Sequence, residues 1–402
     1  MSRAHRKRIL FVAEAVTLAH VTRPFVLAQS LDPFEFEVHF ACADQFDFVF
    51  TRASFQRQKI KSISPQSFLR ALASGSRLYS RRTLCRYVEE ELELIRAVRP
   101  DLIVGDFRLS LAVSAPLSKV PHVALANAYW SPFTTRRQFP LPEVQFARLL
   151  GTALSGRLFN YIQPFIFSHH AKPLNSVRQK YGLPSVGSLL DVYTHGDYTL
   201  YSDLPVLFPT ADLPSNHRYI GPILWSPDIN LPKWWHQLDV QKPIVYLTLG
   251  SSGPVDLLPK VIQILGNLPL TVLVATAGRW RPTELPKNVI ASDYLPGDQV
   301  AGRAALVIGN GGSPSVYQAL AKGVPVIGIA SNMDQFLCMS GVTNAAAGLL
   351  LRAGEVNESS VRHAVETIID GEAYKRAAEK LANELSQTDA VSEFKSVIRE
   401  IV

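Results

Sequence analysis

The stretch that decides the fold lies between residues 305 and 322. It opens with an apolar segment, Ala305–Ile308, continues as Asn310-Gly311-Gly312-Ser313-Pro314-Ser315, and passes into a helical pattern, Ser315–Lys322. Glycines let backbone N–H groups approach a ligand closely, and the N–H groups and dipole at a helix start favour an anion. The pattern therefore predicts a phosphate site, with Ser315 as N-cap or phosphate ligand. A tight strand-to-helix connection without a ligand is the alternative.

Around this turn, apolar strand-like runs alternate with helical stretches, which predicts an α/β fold of parallel sheets covered by helices on both faces. The predicted strands are Ile9–Ala13, Glu37–Ala41, Leu102–Val104, His122–Ala126, Ile244–Leu249, Thr271–Thr276, Val289–Ala291, Ala305–Ile308 and Val324–Gly328. The predicted helices include Arg23–Ser30, Tyr87–Val98, Leu257–Leu265, Ser315–Lys322 and Glu358–Ile369. No G-x-G-x-x-G follows the first strand, which argues against a dinucleotide oxidoreductase.

The length of 402 residues predicts two domains, because single cores stop growing at roughly 250 to 300 residues. We expect a first domain at 1–221, a proline-punctuated linker at 222–243 and a second domain at 244–385. The remaining segment, 386–402, reads as a helix and is a candidate to pack back on the first domain.

Composition limits the class of protein and its location. Hydrophobic residues make up 47% and charged residues 19%, as in ordinary globular domains. The run Ile9–Ala15 is short and contains Glu14, so we interpret it as a buried strand and not as a secretion signal. No stretch approaches the roughly 20 apolar residues that cross a bilayer, so a cytoplasmic protein is expected. The three cysteines have no metal-ligand spacing, which predicts reduced thiols and no metal site.

The net charge of +7 is unevenly distributed. Residues 1–220 hold 26 Lys+Arg against 17 Asp+Glu, or +9, and the remainder holds 15 against 17, or −2. Many of the basic residues are Arg52, Arg57, Lys59, Lys61, Arg70, Arg77, Arg81, Arg82 and Arg86. They form either a solvated helical face or a surface for an anionic membrane or an acidic acceptor. Nucleic acid is not expected as a partner, since no recognised binding motif accompanies the charge.

Residues 244–340 resemble the second lobe of family 1 glycosyltransferases, the group of UDP-glycosyltransferases and of macrolide and glycopeptide glycosyltransferases. In that family a His-Gly-Gly or His-Cys-Gly turn is followed by Ser/Thr, by Glu, by a Gly-Val-Pro strand and by Asp-Gln. The corresponding residues here are Asn310-Gly311-Gly312, Ser315, Gln318, Gly323-Val324-Pro325 and Asp334-Gln335. The resemblance implies a GT-B fold, with two Rossmann-like domains facing across a cleft.

The resemblance also implies a donor site for a nucleotide diphosphate sugar, either a UDP- or a dTDP-sugar, as co-substrate without a further cofactor. Gly312 and Ser315, in a turn with Asn310, Gly311 and Ser313, would hold the diphosphate, and Gln318 would hold the ribose. The implied sugar ligands are Asp334 and Gln335, the loop near the diphosphate is Gly250-Ser251-Ser252, and the residues beside the base are Tyr294 and Leu295.

Two residues depart from the family pattern. Asn310 stands where the family has histidine, so an uncharged amide replaces a side chain that can be cationic. Charge-assisted hydrogen bonds are roughly twice as strong as neutral ones. Gln318 replaces a glutamate and offers a single carbonyl oxygen as acceptor.

Transfer to a hydroxyl requires removal of the acceptor proton, and histidine can act as the base near neutral pH. His20 lies just past the first strand, at the strand end where parallel sheets bind ligands. A helix cap or surface residue is the alternative. The segment Ala19–Pro24 is similar to the family loop that carries the base, although Thr17 and Leu18 replace its glycines. Asp106 is similar to the aspartate that holds this base, and a helix N-cap is its alternative.

An aromatic stretch at residues 129–167 is the expected acceptor wall, with core packing as the alternative. Its acceptor-binding candidates are Tyr129, Trp130, Phe133 and Phe139. The segment 129–170 is either an irregular binding element or a pair of helices that the sequence pattern does not make apparent. An aromatic wall implies a small, largely apolar acceptor, such as a polyketide, terpenoid, phenol or lipid.

These observations predict an inverting glycosyltransferase. Two alternatives stay open: a GT-B partner or activator protein that binds nucleotide sugars with weakened chemistry, and a GT-B sugar-nucleotide epimerase. The oligomeric state is left open.

Overall fold

The computed structural model describes residues 6–136, 138–143, 152–238 and 241–402, which divide into two compact units. The first unit comprises Met1–Phe139, Ala153–Ile223 and Asp389–Val402, and the second comprises Pro140–Thr152 and Leu224–Thr388. Each unit is built on one parallel sheet with helices, as the alternating sequence pattern predicts.

The sheet of the first unit has the strand order β3-β2-β1-β4-β5-β6-β7. Its strands are β1 Lys7–Ala13, β2 Phe36–Cys42, β3 Gln56–Lys59, β4 Leu102–Asp106, β5 His122–Ala126, β6 Tyr198–Tyr201 and β7 His217–Tyr219. Every residue of β4 and β5 is buried, because helices cover both faces of a parallel sheet. The sequence pattern did not predict β3, β6 or β7, which are short or partly exposed.

Helices of the first unit are α1 Leu18–Ser30, α2 Pro65–Ser74, α3 Arg81–Val98, α4 Leu111–Ser118, α5 Thr152–Lys180 and α6 Leu189–Tyr193. The predicted start of α1 at Arg23 is wrong, because the helix begins five residues earlier and carries Pro24 in its interior. Proline lacks an N–H, so it cannot donate to the carbonyl of His20 one turn before it. The second half of the stretch 129–170 is neither irregular nor a helix pair: it is part of α5, a single helix containing Pro164 and Pro173.

The second unit has a six-stranded sheet in the order β10-β9-β8-β11-β12-β13. Its elements in chain order are β8 Ile244–Thr248, α7 Leu258–Gly266, β9 Thr271–Ala275, β10 Val289–Ser292, α8 Gly297–Arg303, β11 Leu306–Gly309, α9 Ser313–Leu320, β12 Val326–Ala330, α10 Met333–Asn344, β13 Gly348–Arg352, α11 Glu358–Asp370 and α12 Glu372–Ser386. A core between this sheet and the helices α7 and α11 includes Val245, Val272 and Val361.

The last helix, α13 Ala390–Ile401, belongs to the first unit. The ring of Phe394 lies 6.1 Å from that of Phe11 in β1, and Arg399 Nη2 lies 3.0 Å from Glu35 Oε2.

Both sheets reverse their strand order at one position, between β1 and β4 in the first unit and between β8 and β11 in the second. In open parallel sheets, ligands bind beyond the carboxyl ends of the strands at such a reversal. The predicted base follows β1, and the predicted phosphate turn follows β11. The topology therefore puts both groups of candidate residues at ligand-binding positions of their own sheets.

Candidate active site

His20 and Asp106 meet at the strand reversal of the first unit. His20 lies in the first turn of α1, and Asp106 is the last residue of β4. His20 Nδ1 lies 2.8 Å from Asp106 Oδ1, and the Asp106 side chain is fully buried while 18% of His20 remains exposed. A carboxylate at this distance favours the tautomer with its proton on Nδ1, which leaves a lone pair on Nε2. The exposed imidazole edge can then accept a proton.

Arg23 contacts both carboxylate oxygens of Asp106, an interaction that the sequence analysis missed. Its Nε donates to Asp106 Oδ2 at 2.9 Å and its Nη2 to Oδ1 at 2.7 Å, while Nη1 donates to Asn127 Oδ1 at 2.7 Å. Burial disfavours the charged guanidinium, but the Asp106 carboxylate outweighs this and raises the pKa of Arg23. The spacing of three residues between His20 and Arg23, which places both on one helix face, was the available signal.

Phe107 fixes the plane of the imidazole. Its ring stacks on His20 with centroids 4.5 Å apart and planes 9° apart, and its backbone has φ +55°. A left-handed conformation costs a residue with a Cβ roughly 1–2 kcal/mol, so the surrounding structure must hold this turn. The next residue, Arg108, is buried and donates to Glu14 Oε2 at 2.7 Å and to Glu91 Oε1 at 2.6 Å. These ion pairs anchor the turn that carries Phe107.

A series of aromatic rings continues from the imidazole. Phe107 lies 5.2 Å from Tyr193, Tyr193 lies 5.0 Å from Trp130, and Trp130 lies 6.4 Å from Phe167 of α5. Phe107, Tyr193 and Trp130 are partly exposed, so they give the first unit an apolar wall beside His20. The sequence analysis named only Trp130 of these three.

The other predicted acceptor residues occupy different environments. Tyr129 has no exposed surface and packs edge-on against Phe208 at 5.0 Å, and Phe139 is buried against Phe167. Both lie in the core in this structure and not on an accessible wall. Phe133 is partly exposed and contacts His217. Phe146 of the same aromatic stretch lies outside the described residues.

The glycine turn of the second unit connects β11 to α9. Gly312 is the N-cap residue of α9 and Ser313 its first residue, so the predicted N-cap role of Ser315 and the helix start at that residue are wrong. The Ser315 hydroxyl donates to Gly312 O at 3.2 Å inside the first helical turn. Pro314 fits at the start of the helix, where its missing N–H is not needed. The N-terminus of α9 therefore begins directly at the glycines.

Asn310 ties this turn to the loop after β8. Its Oδ1 accepts from Gly312 N at 3.0 Å, and its Nδ2 donates to Ser252 Oγ at 3.2 Å. Gly250 in that loop has φ +60°, and a Cβ on Gly253 would lie 2.8 Å from Asn310 Cβ. An amide can make both bonds at once because it donates and accepts. Asn310 thus organises the predicted diphosphate loop, of which Ser251 is also part.

Arg279, which sequence reasoning did not identify, brings a cation to the same loop. Its Nη1 lies 2.8 Å from Gly253 O and 3.2 Å from Gly250 O. Burial lowers the pKa of Arg279, and Asp256 opposes this in part. Nearby, Tyr294 exposes 39% of its surface and donates its hydroxyl to Ala277 O at 3.3 Å.

The remaining predicted donor ligands take part in local contacts. Gln318 donates from Nε2 to Trp225 O, and Leu295 is buried. Gln335 is buried and accepts at Oε1 from Ser331 N at 2.8 Å, while its Nε2 has no hydrogen-bond partner within the described part of the chain. Asp334 precedes it in the first turn of α10.

We expect Gly311→Ala to weaken binding of a nucleoside diphosphate by at least about tenfold. Gly311 has φ +79°, and a Cβ there would lie 2.7 Å from Met339 Cγ and 3.4 Å from Gln335 O. Added strain of roughly 1–2 kcal/mol together with this overlap must displace the turn. Titration calorimetry with the nucleotide measures the effect. Gly75→Ala is the matched control, since Gly75 has φ +64° and nothing within 4 Å of the new Cβ. Equal nucleotide affinity in the Gly311 variant and the wild type would contradict the assignment.

Residues 260–400 match the family described as "Erythromycin biosynthesis protein CIII-like, C-terminal domain". A PGL/p-HBAD biosynthesis glycosyltransferase of Mycobacterium tuberculosis (strain ATCC 25177 / H37Ra) is 49% identical over 380 residues, covering 94% of this chain and 89% of the relative. The chain belongs to the macrolide-type family 1 glycosyltransferases. This macrolide-type glycosyltransferase thus has the enzyme class that its sequence motifs predict.

Further relatives and a solved structure are similar to this glycosyltransferase. A PGL/p-HBAD biosynthesis rhamnosyltransferase of Mycobacterium bovis (strain BCG / Pasteur 1173P2) is 49% identical over 94% of this chain and 84% of its own length. An "Inactive PGL/p-HBAD biosynthesis glycosyltransferase" of the same strain is also 49% identical, over 66% of this chain and 72% of its own. The structure of "Spinosyn Rhamnosyltransferase SpnG complexed with thymidine diphosphate" superposes with a TM-score of 0.69 at 19% identity, covering 97% of this chain and 99% of that one. This likeness shows the GT-B fold.

Neither a metal cluster nor a membrane-spanning helix is present among the described residues. They contain no group of three or more His, Cys, Asp or Glu side chains placed to hold a metal ion. Within the same residues, no helix has both the length and the apolarity to span a bilayer.

Proposed function

We propose that this glycosyltransferase transfers rhamnose from dTDP-rhamnose to a hydroxyl of a small, largely apolar acceptor, with inversion at the anomeric carbon. The observation that carries the proposal is the His20–Asp106 pair, with its 2.8 Å contact at the strand reversal of the first sheet. A partly exposed imidazole backed by a buried carboxylate is the arrangement that a general base requires.

In the proposed step, His20 Nε2 takes the proton of the acceptor hydroxyl as its oxygen bonds to the anomeric carbon. The bond from that carbon to the diphosphate breaks, and the nucleoside diphosphate leaves with the electron pair. Asp106 stabilises the imidazolium that forms. One displacement at carbon inverts its configuration.

The leaving diphosphate is proposed to bind at the start of α9. The backbone N–H groups of Gly311 and Ser313 and the helix dipole stabilise negative charge there. Asn310 supplies no charge, and Arg279 holds the adjacent loop at Gly250 and Gly253 with a guanidinium. In this proposal Gln335 Nε2, which lacks a partner among described residues, donates to a hydroxyl of the sugar.

Two comparisons favour a rhamnosyl donor on a thymidine carrier. The Mycobacterium bovis relative is a rhamnosyltransferase by name, and the superposed rhamnosyltransferase was solved with thymidine diphosphate. The partly exposed rings of Phe107, Tyr193 and Trp130 beside His20 favour an acceptor with a flat apolar surface.

A thermal-unfolding panel of dTDP, UDP, GDP and ADP tests the donor. A ligand at 100 times its dissociation constant stabilises a protein by about 2.7 kcal/mol, so dTDP is expected to raise the unfolding midpoint most. A rise with UDP alone would indicate that the donor is a UDP-sugar and not a dTDP-sugar. If no nucleoside diphosphate raises the midpoint, the proposed donor site is wrong.

A binding partner without transfer activity is the second candidate. The amide of Asn310 in place of a chargeable histidine and the similarity to an inactive relative favour it. Such a protein would show the dTDP-dependent midpoint rise but no release of dTDP from dTDP-rhamnose at any acceptor concentration. Acceptor-dependent release excludes it.

A further inference from the structure

The outward face of α5 carries an unusual row of exposed apolar side chains. Leu154, Leu158, Tyr161 and Phe165 follow each other at spacings of four, three and four residues, which places them on one face of the helix. Tyr161 is 79% exposed and Phe165 is 76% exposed. We call these four residues the α5 stripe. Large apolar side chains grouped on a surface mark an interaction site more often than isolated ones do.

The opposite face of α5 packs into the first unit and holds the helix in place. Phe159 and Phe167 are buried, and Phe167 contacts Trp130 of the ring series. Further along, Leu174 and Val177 pack in a core with Leu84 of α3. The stripe is therefore not needed to attach the helix to its unit.

Every charged residue in the sequence of α5 is a Lys or an Arg. The whole of α5 contains no Asp or Glu, and Arg157 and Lys172 lie near the same face by helical spacing. The long segments 144–190 and 48–88 also contain no acidic residue, and the second holds nine Lys and Arg. Arg77 of that segment lies beside α5, with Nη2 3.2 Å from His169 Nδ1. Two basic segments thus meet at one end of the stripe.

We propose that the first unit docks on an anionic lipid bilayer through the α5 stripe. An interfacial helix buries Leu and aromatic side chains at the boundary of headgroups and acyl chains while Lys and Arg contact anionic lipids. The charge complementarity favours this partner, because acidic headgroups match an apolar row with Arg157 beside it and with Lys172 and Arg77 beyond its Phe165 end. The inference goes beyond the proposed function, and its test does not use sugar transfer.

Flotation or cosedimentation of the full-length protein with vesicles tests the docking. Binding is expected to vesicles of phosphatidylglycerol and phosphatidylcholine, to be weak on phosphatidylcholine alone, and to fall as salt rises. The double variant Tyr161→Ser/Phe165→Ser is expected to lose at least tenfold in partition coefficient, because two exposed apolar side chains no longer enter the bilayer. The variants Arg157→Gln and Lys172→Gln are each expected to lose about fivefold.

Two controls separate the stripe from general surface effects. Phe34→Ser removes an aromatic ring that is 89% exposed elsewhere in the first unit, and Arg376→Gln removes an exposed cation of α12. Both are expected to bind vesicles as the wild type does. Wild-type protein that fails to bind anionic vesicles, or stripe variants that bind like the controls, would overturn the proposal. If the wild type does not bind vesicles but sediments as a dimer, and the Tyr161/Phe165 variant is a monomer, the stripe is instead a contact with a second copy of the chain.

Discussion

Replacing His20 with alanine is expected to lower kcat for sugar transfer by about 10² to 10⁴-fold, the usual contribution of a general base. The Nε2 lone pair disappears, whereas the donor turn at Gly311–Ser313 belongs to the other unit and keeps its structure. The affinity for dTDP is therefore expected to stay within twofold of the wild type. Steady-state kinetics and titration calorimetry on the same preparations measure the two effects.

His363→Ala is the matched control, because His363 is an exposed histidine on α11 far along the chain from both candidate sites. Its kcat and dTDP affinity are expected to be unchanged. A His20 variant with wild-type turnover would show that His20 is not the general base. A His20 variant that loses dTDP binding instead would assign the residue to donor binding.

Replacing Arg23 with methionine is expected to reduce the stability of the first unit by about 3–5 kcal/mol, as removal of one partner of a buried ion pair does. The methionine fills similar volume but leaves the fully buried Asp106 without the guanidinium that contacts both of its oxygens. Urea unfolding followed by tryptophan fluorescence and circular dichroism measures the loss.

Arg399→Met provides the comparison, since Arg399 pairs with Glu35 in the same unit but both side chains are about half exposed. Exposed pairs contribute about 0–1 kcal/mol, so this variant is expected to unfold near the wild-type midpoint. The double variant Arg23→Met/Asp106→Asn is expected to recover part of the loss, because the buried charge is gone. Equal midpoints for Arg23→Met and Arg399→Met would contradict the account of Asp106.

Local sequence patterns were sufficient to predict most strands of the two sheets. The strands at Ile244–Thr248 and Leu306–Gly309 are apolar runs followed by glycines, and this information is contained in a few consecutive residues. The position of His20 beyond the carboxyl end of the first strand could also be predicted from the pattern, whereas its contact with Asp106 was implied only by the family resemblance. The resemblance to family 1 glycosyltransferases added the roles of both residues.

Contacts that depend on burial could not be predicted from the sequence. The sequence analysis placed Arg23 at a helix start, and its role becomes visible only when β4 brings Asp106 beneath the helix. Phe107 and Tyr193 are far apart in sequence and meet through the packing of α6. Arg279 contacts backbone carbonyls at Gly250 and Gly253, and such contacts leave no pattern in the sequence.

The most direct test of the central claim is the release of dTDP from dTDP-rhamnose by the wild-type protein, measured with and without apolar alcohols and phenols. We predict release that depends on the acceptor, yields a rhamnoside of inverted anomeric configuration and disappears in the His20 variant. Release that is independent of any acceptor, or a product that retains the donor configuration, would contradict the single displacement with His20 as the base.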